Sequence, residues 1–121
     1  MNKKKVLVTG ASRGIGRAIV EVLKKTNGYN ILTPSRDELE LTESDSIDNF
    51  VVRNNDIDIL VNNAGMNIIN YIQDVKDTDI ESMFLTNIIA PIKLIRGIVP
   101  PDFRTFSYTQ MQKPIKIRCC S

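Results

Sequence analysis

The stretch Thr9-Gly10-Ala11-Ser12-Arg13-Gly14-Ile15-Gly16 constrains this chain more than any other. It follows the apolar run Val6-Leu7-Val8, which reads as a buried strand, and it leads into Ile15, Ala18, Ile19, Val22 and Leu23, whose spacing predicts one face of a helix. The order is therefore strand, glycine turn, helix. Such a turn aims free backbone N–H groups and the positive end of a helix dipole at one point, and glycines lacking Cβ let an anion come close. The group expected there is a phosphate, and the flanking strand and helix are the context in which three spaced glycines indicate a dinucleotide site rather than a plain turn.

A chain of 121 residues is one domain, large enough for a core and small for a complete α/β enzyme. A net charge of +2 gives no reason to expect nucleic acid or an anionic membrane surface as a partner. Lys3, Lys4 and Lys5 before the first apolar run imitate a signal peptide only faintly, because the run stops at Thr9, and no run approaches the roughly 20 apolar residues of a spanning helix. Cys119 and Cys120 are the only cysteines and there is no histidine, so neither a metal site nor a disulfide framework is expected. A reducing cytoplasm is the expected compartment.

The first helix is predicted from about Gly14 to Thr26, ended by Asn27-Gly28, with a strand over Tyr29 to Thr33. Arg36 stands just past that strand, about 20 residues beyond the last glycine, where the partner of an adenosine ribose belongs. An acidic residue there binds a 2′-hydroxyl, whereas arginine suits a 2′-phosphate through a charge-assisted, forked hydrogen bond. NADP(H) is therefore preferred and NAD(H) is possible; the competing reading is a solvated loop arginine neutralised by Asp37. Leu39, Glu40, Leu41 and Thr42 alternate as a short third strand, and Ser44 or Thr42 can cap a helix that places Ile47, Phe50 and Val51 on one face. Ile57 to Val61 reads as a parallel strand covered on both sides, and it ends in Asn62-Asn63-Ala64-Gly65, where the asparagines suit either ligand binding or the tying of loops. Thr78-Asp79-Ile80-Glu81 has the form of a capping box, opening a long helix whose apolar residues wrap more than one face. One face should cover the sheet. The other, over residues 79–99, suggests a second subunit, a homologue or further chain, and Pro91 should kink the helix before Pro100-Pro101 ends it.

With the glycine stretch and Asn62-Asn63-Ala64-Gly65 both placed, residues 4 to about 99 resemble the short-chain dehydrogenase/reductase family. The resemblance implies NAD(P)-dependent hydride transfer to or from a carbonyl or alcohol. It also implies that Gly10, Ser12, Arg13, Gly14, Ile15 and Gly16 hold a cofactor pyrophosphate. Arg13 and Arg36 resemble the arginines of NADP-preferring members, and Glu40-Leu41-Thr42 resembles the segment beside the adenine, with Glu40 in place of the more usual Asp or Asn. Asn63, Ala64 and Gly65 correspond to the region near the nicotinamide ribose, and Asn87 to the asparagine that holds an ordered water in the family's proton relay. The fold expected is a Rossmann-like three-layer α/β/α sandwich with a mostly parallel sheet of order 3-2-1-4, truncated after the fourth strand and the long helix.

The family's proton donor is a tyrosine with a lysine four residues later on one helix face, plus a serine from a separate strand. Here Tyr108 and Lys113 are five apart, which separates them by roughly 140° around a helix. Pro114 biases Lys113 away from helical geometry, and Ser107 is adjacent to Tyr108. The three are read as a chance imitation. Residues 100–121 are expected to form a divergent, irregular tail, from a reading frame shifted or cut near Pro100, in a chain that binds the cofactor without turnover. A regulatory nucleotide-binding module and a non-functional remnant are the alternatives.

Overall fold

The computed structural model describes residues 3–99 and the backbone of residues 118–119. Strand β1 (Lys4–Val8) lies between β2 (Tyr29–Leu32) and β3 (Ile59–Asn62), and all pairings are parallel. The register sets Lys4 to Leu7 against Tyr29 to Leu32, and Val6 to Val8 against Ile59 to Val61. A two-residue strand, β4 (Arg118–Cys119), pairs with Val61 and Asn62 on the far side of β3. The sheet order is β2-β1-β3-β4.

Alternation along β1 divides the core into two layers, because successive side chains leave opposite faces of a strand. Leu7 goes with Ile47 and Phe50 of α2 (Ser44–Arg53), Leu60, and Ala90 and Leu94 of α4 (Ala90–Ile98). Val6, Val8 and Val61 go with Val20 of α1 (Gly14–Lys25). Helices on both faces of a parallel sheet make the expected three-layer fold.

Three local expectations are corrected. Residues 39–42 form no strand and lie between and within turns at 36–38 and 41–42. Leu39 is buried against Ile47 and Phe50 as its alternation implied, but the backbone there closes on itself through Leu39 N–H to the Ser35 carbonyl (2.9 Å) and Glu43 N–H to the Glu40 carbonyl (3.1 Å). Apolar alternation measured burial, while local hydrogen bonds took the backbone groups that a strand would offer to a neighbour. In α1 the core stripe is Gly16, Val20 and the half-buried Ile19 and Leu23, the last two as expected, whereas Ile15, Ala18 and Val22 are exposed. The close seat of Gly16 on the glycine turn fixes the rotation of the helix. Neither Ser44 nor Thr42 caps α2, whose N-cap is Glu43; the Ser44 hydroxyl instead accepts from Lys93 Nζ of α4, which also pairs with Asp48 (3.0 Å).

The long helix begins with α3 (Asp77–Phe84), one residue before Thr78. Its first turn is fastened by Asp79 Oδ2, which accepts the Lys76 N–H (3.3 Å), rather than by the Thr78–Glu81 pair. Between α3 and α4 the chain makes a π turn over Leu85–Ile89, closed by the Ala90 N–H to the Leu85 carbonyl. Pro91 explains its place, since a proline has no N–H to donate and its ring crowds the carbonyl four residues back, that of Asn87. The expected kink is a widened turn. No helix among the described residues is long and apolar enough to cross a membrane.

Candidate functional site

The carboxyl ends of β1 and β3 lie side by side, at the point where the crossover from β1 leaves toward α1 and β2 while β3 flanks β1 on the other side. That is a topological switch point, and crevices outside parallel sheets form there. The glycine stretch and Asn62-Asn63-Ala64-Gly65 meet at it.

Thr9 is the joint between them. Almost fully buried at the end of β1, it donates its backbone N–H to the Val61 carbonyl (3.1 Å), and its hydroxyl oxygen accepts the N–H groups of Asn63 (3.1 Å) and Ala64 (3.0 Å). Asn63 answers across the same gap, its amide donating to the carbonyls of Thr9 (3.2 Å) and Gly10 (3.1 Å). Both amide hydrogens are thus used within the protein, and Oδ1 is the atom of Asn63 left to meet a ligand hydroxyl. Sequence reading passed over Thr9 as a site residue. Its signal was a hydroxyl at the last position of a buried strand, beside a turn whose N–H groups need acceptors.

The glycines have three different reasons to be glycine. Gly10 takes φ +65°, and a Cβ there would sit 2.8 Å from Ala64 Cα. Gly16 has an ordinary φ, but a Cβ would run into the Gly10 carbonyl and the Asn63 amide. Gly14 takes φ +59° and faces open space, with nothing within 4 Å of where a Cβ would be. Two glycines therefore pack the turn, and the third leaves its outer surface bare. Above that surface begins α1, with Arg13 extended at the N-cap, no side chain capping the first turn and no acidic residue in it. The N–H groups of a helix start need an acceptor, and the dipole favours an anionic one. The cradle fits a pyrophosphate.

The other expected residues are placed as follows. Ser12, Arg13 and Ile15 are exposed around the cradle. Arg36 is 86% exposed, and its Nε pairs with Glu40 Oε2 at 3.4 Å, so the acid beside it is Glu40 rather than Asp37. Glu40 Oε1 accepts from the N–H and hydroxyl of Thr42, and Leu41 is half-buried. Ala64 and Gly65 border the cradle, and Asn87 Oδ1 lies 3.5 Å from where a Gly65 Cβ would stand. Asn87 itself sits in the π turn, its amide doubly paired with the backbone of Met66 at 2.8 Å each way. It ties the loop after β3 to the long helix. Ser107, Tyr108 and Lys113 lie outside the described residues.

A depression of about 620 Å³ lies at the opposite, amino end of the strands. Lys5 and Asp56 line it and already pair at 2.7 Å, and it contains none of the glycine turn. The cradle is identified by its backbone geometry, with open space at Gly14.

Comparison with known proteins agrees with this architecture. The family model "short chain dehydrogenase" matches residues 38–104, a few residues past the point where the sequence resemblance was expected to stop. The chain is 32% identical, over 120 residues, to the 3-oxoacyl-(acyl-carrier-protein) reductase FabG of Haemophilus influenzae, an alignment covering 82% of this chain and 50% of that protein. Among solved structures, a metagenomic short-chain oxidoreductase in complex with NADP superposes with a TM-score of 0.70 at 28% identity, covering 78% of this chain and 53% of that one. A short-chain dehydrogenase/reductase family oxidoreductase from Brucella ovis, in complex with a partially ordered NAD, superposes at 0.71 with 24% identity, covering 80% and 56%. The chain spans about half the length of the curated relatives it matches. With the fold, the switch-point cradle and the family match in agreement, the chain belongs to the short-chain dehydrogenase family.

Proposed function

We propose that these residues form the cofactor-holding half of a short-chain oxidoreductase, with a nicotinamide dinucleotide bound at the carboxyl ends of β1 and β3. When bound, that group gives or takes a hydride at a carbonyl or alcohol carbon. The observation that carries the reading is the bare, positive-φ Gly14 beneath an uncapped α1 N-terminus, held in place by Gly10 and Gly16. A neutral or cationic ligand would waste that arrangement. The N–H groups of the turn and of the first residues of α1 hold the pyrophosphate, with Ser12 and Ile15 bordering it. Arg13 and Arg36 supply cations for a 2′-phosphate, which favours NADP(H). Glu40 and Leu41 flank the adenine, Asn63, Ala64 and Gly65 the nicotinamide ribose, and Asn87 the far side of that crevice.

Residues 1–99 are the binding unit in this reading. No Tyr-x-x-x-Lys pair occurs in the 121 residues, and Ser107 is adjacent to Tyr108 rather than on a separate strand before it, so binding without turnover is the expected behaviour of this chain alone. Likeness to 3-oxoacyl reductases points to carbonyl reduction as the chemistry of the whole enzyme. The apolar, exposed side chains Ile80, Phe84, Ile88 and Ile92 on the long helix suit a second subunit or a complete homologue. Fluorescence titration of the purified chain with NADPH and NADH is the test. Saturable binding without NADPH consumption on a panel of ketones is expected. Sustained consumption overturns the inactive reading, and failure of both nucleotides to bind overturns the cofactor reading.

A further inference from the structure

Of the two members of the Arg36–Glu40 pair, Glu40 is the fixed one. Its Oε1 accepts from the Thr42 N–H (3.2 Å) and hydroxyl (2.8 Å), its own N–H donates to Ser46 Oγ (2.9 Å), and its side chain is 28% exposed. Arg36 is 86% exposed and meets Glu40 through Nε at 3.4 Å. A carboxylate held by two donors on its other oxygen stays where it is when the arginine turns toward another anion. The remaining acids of this loop are Asp37, Glu38 and Glu43; the Glu38 carboxylate is occupied by the Ser35 N–H (3.2 Å) and hydroxyl (3.1 Å), and the ion pair of Arg36 is with Glu40. Glu40 is thus the acid that faces the guanidinium.

We propose that Glu40 is a specificity-determining residue, a fixed negative charge that holds the preference for NADP over NAD below what Arg36 by itself would give. The inference rests on the cofactor reading above. The two nucleotides differ only at the adenosine 2′ position, where one carries a hydroxyl and the other a phosphate. The phosphate is attracted by Arg36 and repelled by Glu40. A hydroxyl is neutral toward both and can donate to the carboxylate. Arg36 and Glu40 together therefore leave the adenosine end open to either nucleotide.

Glu40→Gln separates charge from structure, because a side-chain amide oxygen still accepts both Thr42 hydrogen bonds. Wild-type chain and E40Q are titrated with NADPH and with NADH by fluorescence, at low and high salt. The ratio of the NADH to the NADPH dissociation constant should rise about three- to tenfold in E40Q, through tighter NADPH binding, and the gain should shrink as salt screens it. A ratio unchanged within about twofold, a fall, or equal weakening of both nucleotides overturns the proposal. Arg36→Ala, at an exposed position where folding is not at risk, is the second arm. With Arg13 the remaining cation and Glu40 unopposed beside the 2′ position, the preference for NADPH should fall, and an undiminished preference also overturns the proposal. Wild-type chain that binds neither nucleotide removes the cofactor reading and this proposal together, whereas binding with an unmoved ratio removes this proposal alone.

Discussion

Thr9, Gly14 and Gly16 are three small residues within one short stretch, and each tolerates change differently. Thr9→Val keeps the shape of the side chain but removes the hydroxyl acceptor; the Asn63 N–H keeps the Val61 carbonyl (3.1 Å), while the Ala64 N–H loses its partner. Urea unfolding should show a loss of about 1–3 kcal/mol for T9V and most of it restored in Thr9→Ser. Gly16→Ala places a methyl against the Gly10 carbonyl carbon, 2.9 Å away, and backbone cannot retreat as a flexible side chain can. A cost of about 1–3 kcal/mol and loss of nucleotide binding are expected. Gly14→Ala meets no atom, so its cost is the strain of a positive φ alone, about 1–2 kcal/mol, with the new methyl projecting where a phosphate would sit. Nucleotide affinity in G14A should therefore fall more than stability does, and equal affinity in G14A and wild type would speak against the cradle. The glycines were legible in the sequence because their spacing is the motif. The division of labour among them was not, since it depends on Ala64 and Asn63, some 50 residues away in the chain and adjacent in space.

At the scale of elements, the packing of α2 on α4 turns on Gly97. A Cβ there would lie 2.7 Å from Val51 Cγ1, so Gly97 lets the two helices approach closely. Alanine in a helix gains about 1 kcal/mol over glycine, while overpacking costs about 1–3 kcal/mol. Gly97→Ala should accordingly be neutral to destabilising by up to about 2 kcal/mol in the parent. In a Val51→Ala background, where the obstructing methyls are gone, the same change should stabilise by about 0.5–1 kcal/mol. A double-mutant cycle by urea unfolding checks the coupling, and additive effects would mean that the contact is not limiting. Element order was largely readable: α1, β2, α2 and β3 fall within a few residues of where apolar spacing and the Asn27-Gly28 break put them. The mistaken third strand over 39–42 had the right buried side chain, Leu39, on the wrong backbone. Side-chain patterns report burial, and burial is shared by strands and by turns packed under a helix. The π turn at Leu85–Ile89 could be anticipated only as a defect near Pro91, because the sequence does not say whether a helix bends or widens to admit a proline.

For the molecule as a whole, the two ends of the sheet do different work. At the amino end, Lys5 donates to Asp56 at 2.7 Å, and this hydrogen bond holds the Asp56 carboxyl below its ordinary value of 3.8. A depressed folded-state value contributes stability above the unfolded-state value and loses it as pH falls through the folded one. The stability advantage of wild type over Asp56→Asn should therefore be constant near neutral pH and shrink below about pH 3.8, which urea unfolding across acidic pH would show. An advantage that grows on acidification would reverse the assignment. At the carboxyl end, the first turn of α1 has no side-chain cap and no acidic residue, as an anion site requires.

Sequence alone determined the local grammar of this protein. It gave the strand, glycine turn and helix that open it, the second motif at the end of a buried strand, and the family to which both point. These are encoded by neighbours in the chain, through backbone freedom at glycine and the period of apolar residues. Tertiary structure decided which face of α1 is buried, that Thr9 is the joint between the two motifs, and that Arg36 is paired with Glu40. Those outcomes follow from contacts made after the chain has folded back on itself. Parallel pairing of β1 with β3 brings Asn63 and Ala64 onto the glycine turn, and the closed turn after β2 brings a fixed carboxylate to an exposed guanidinium.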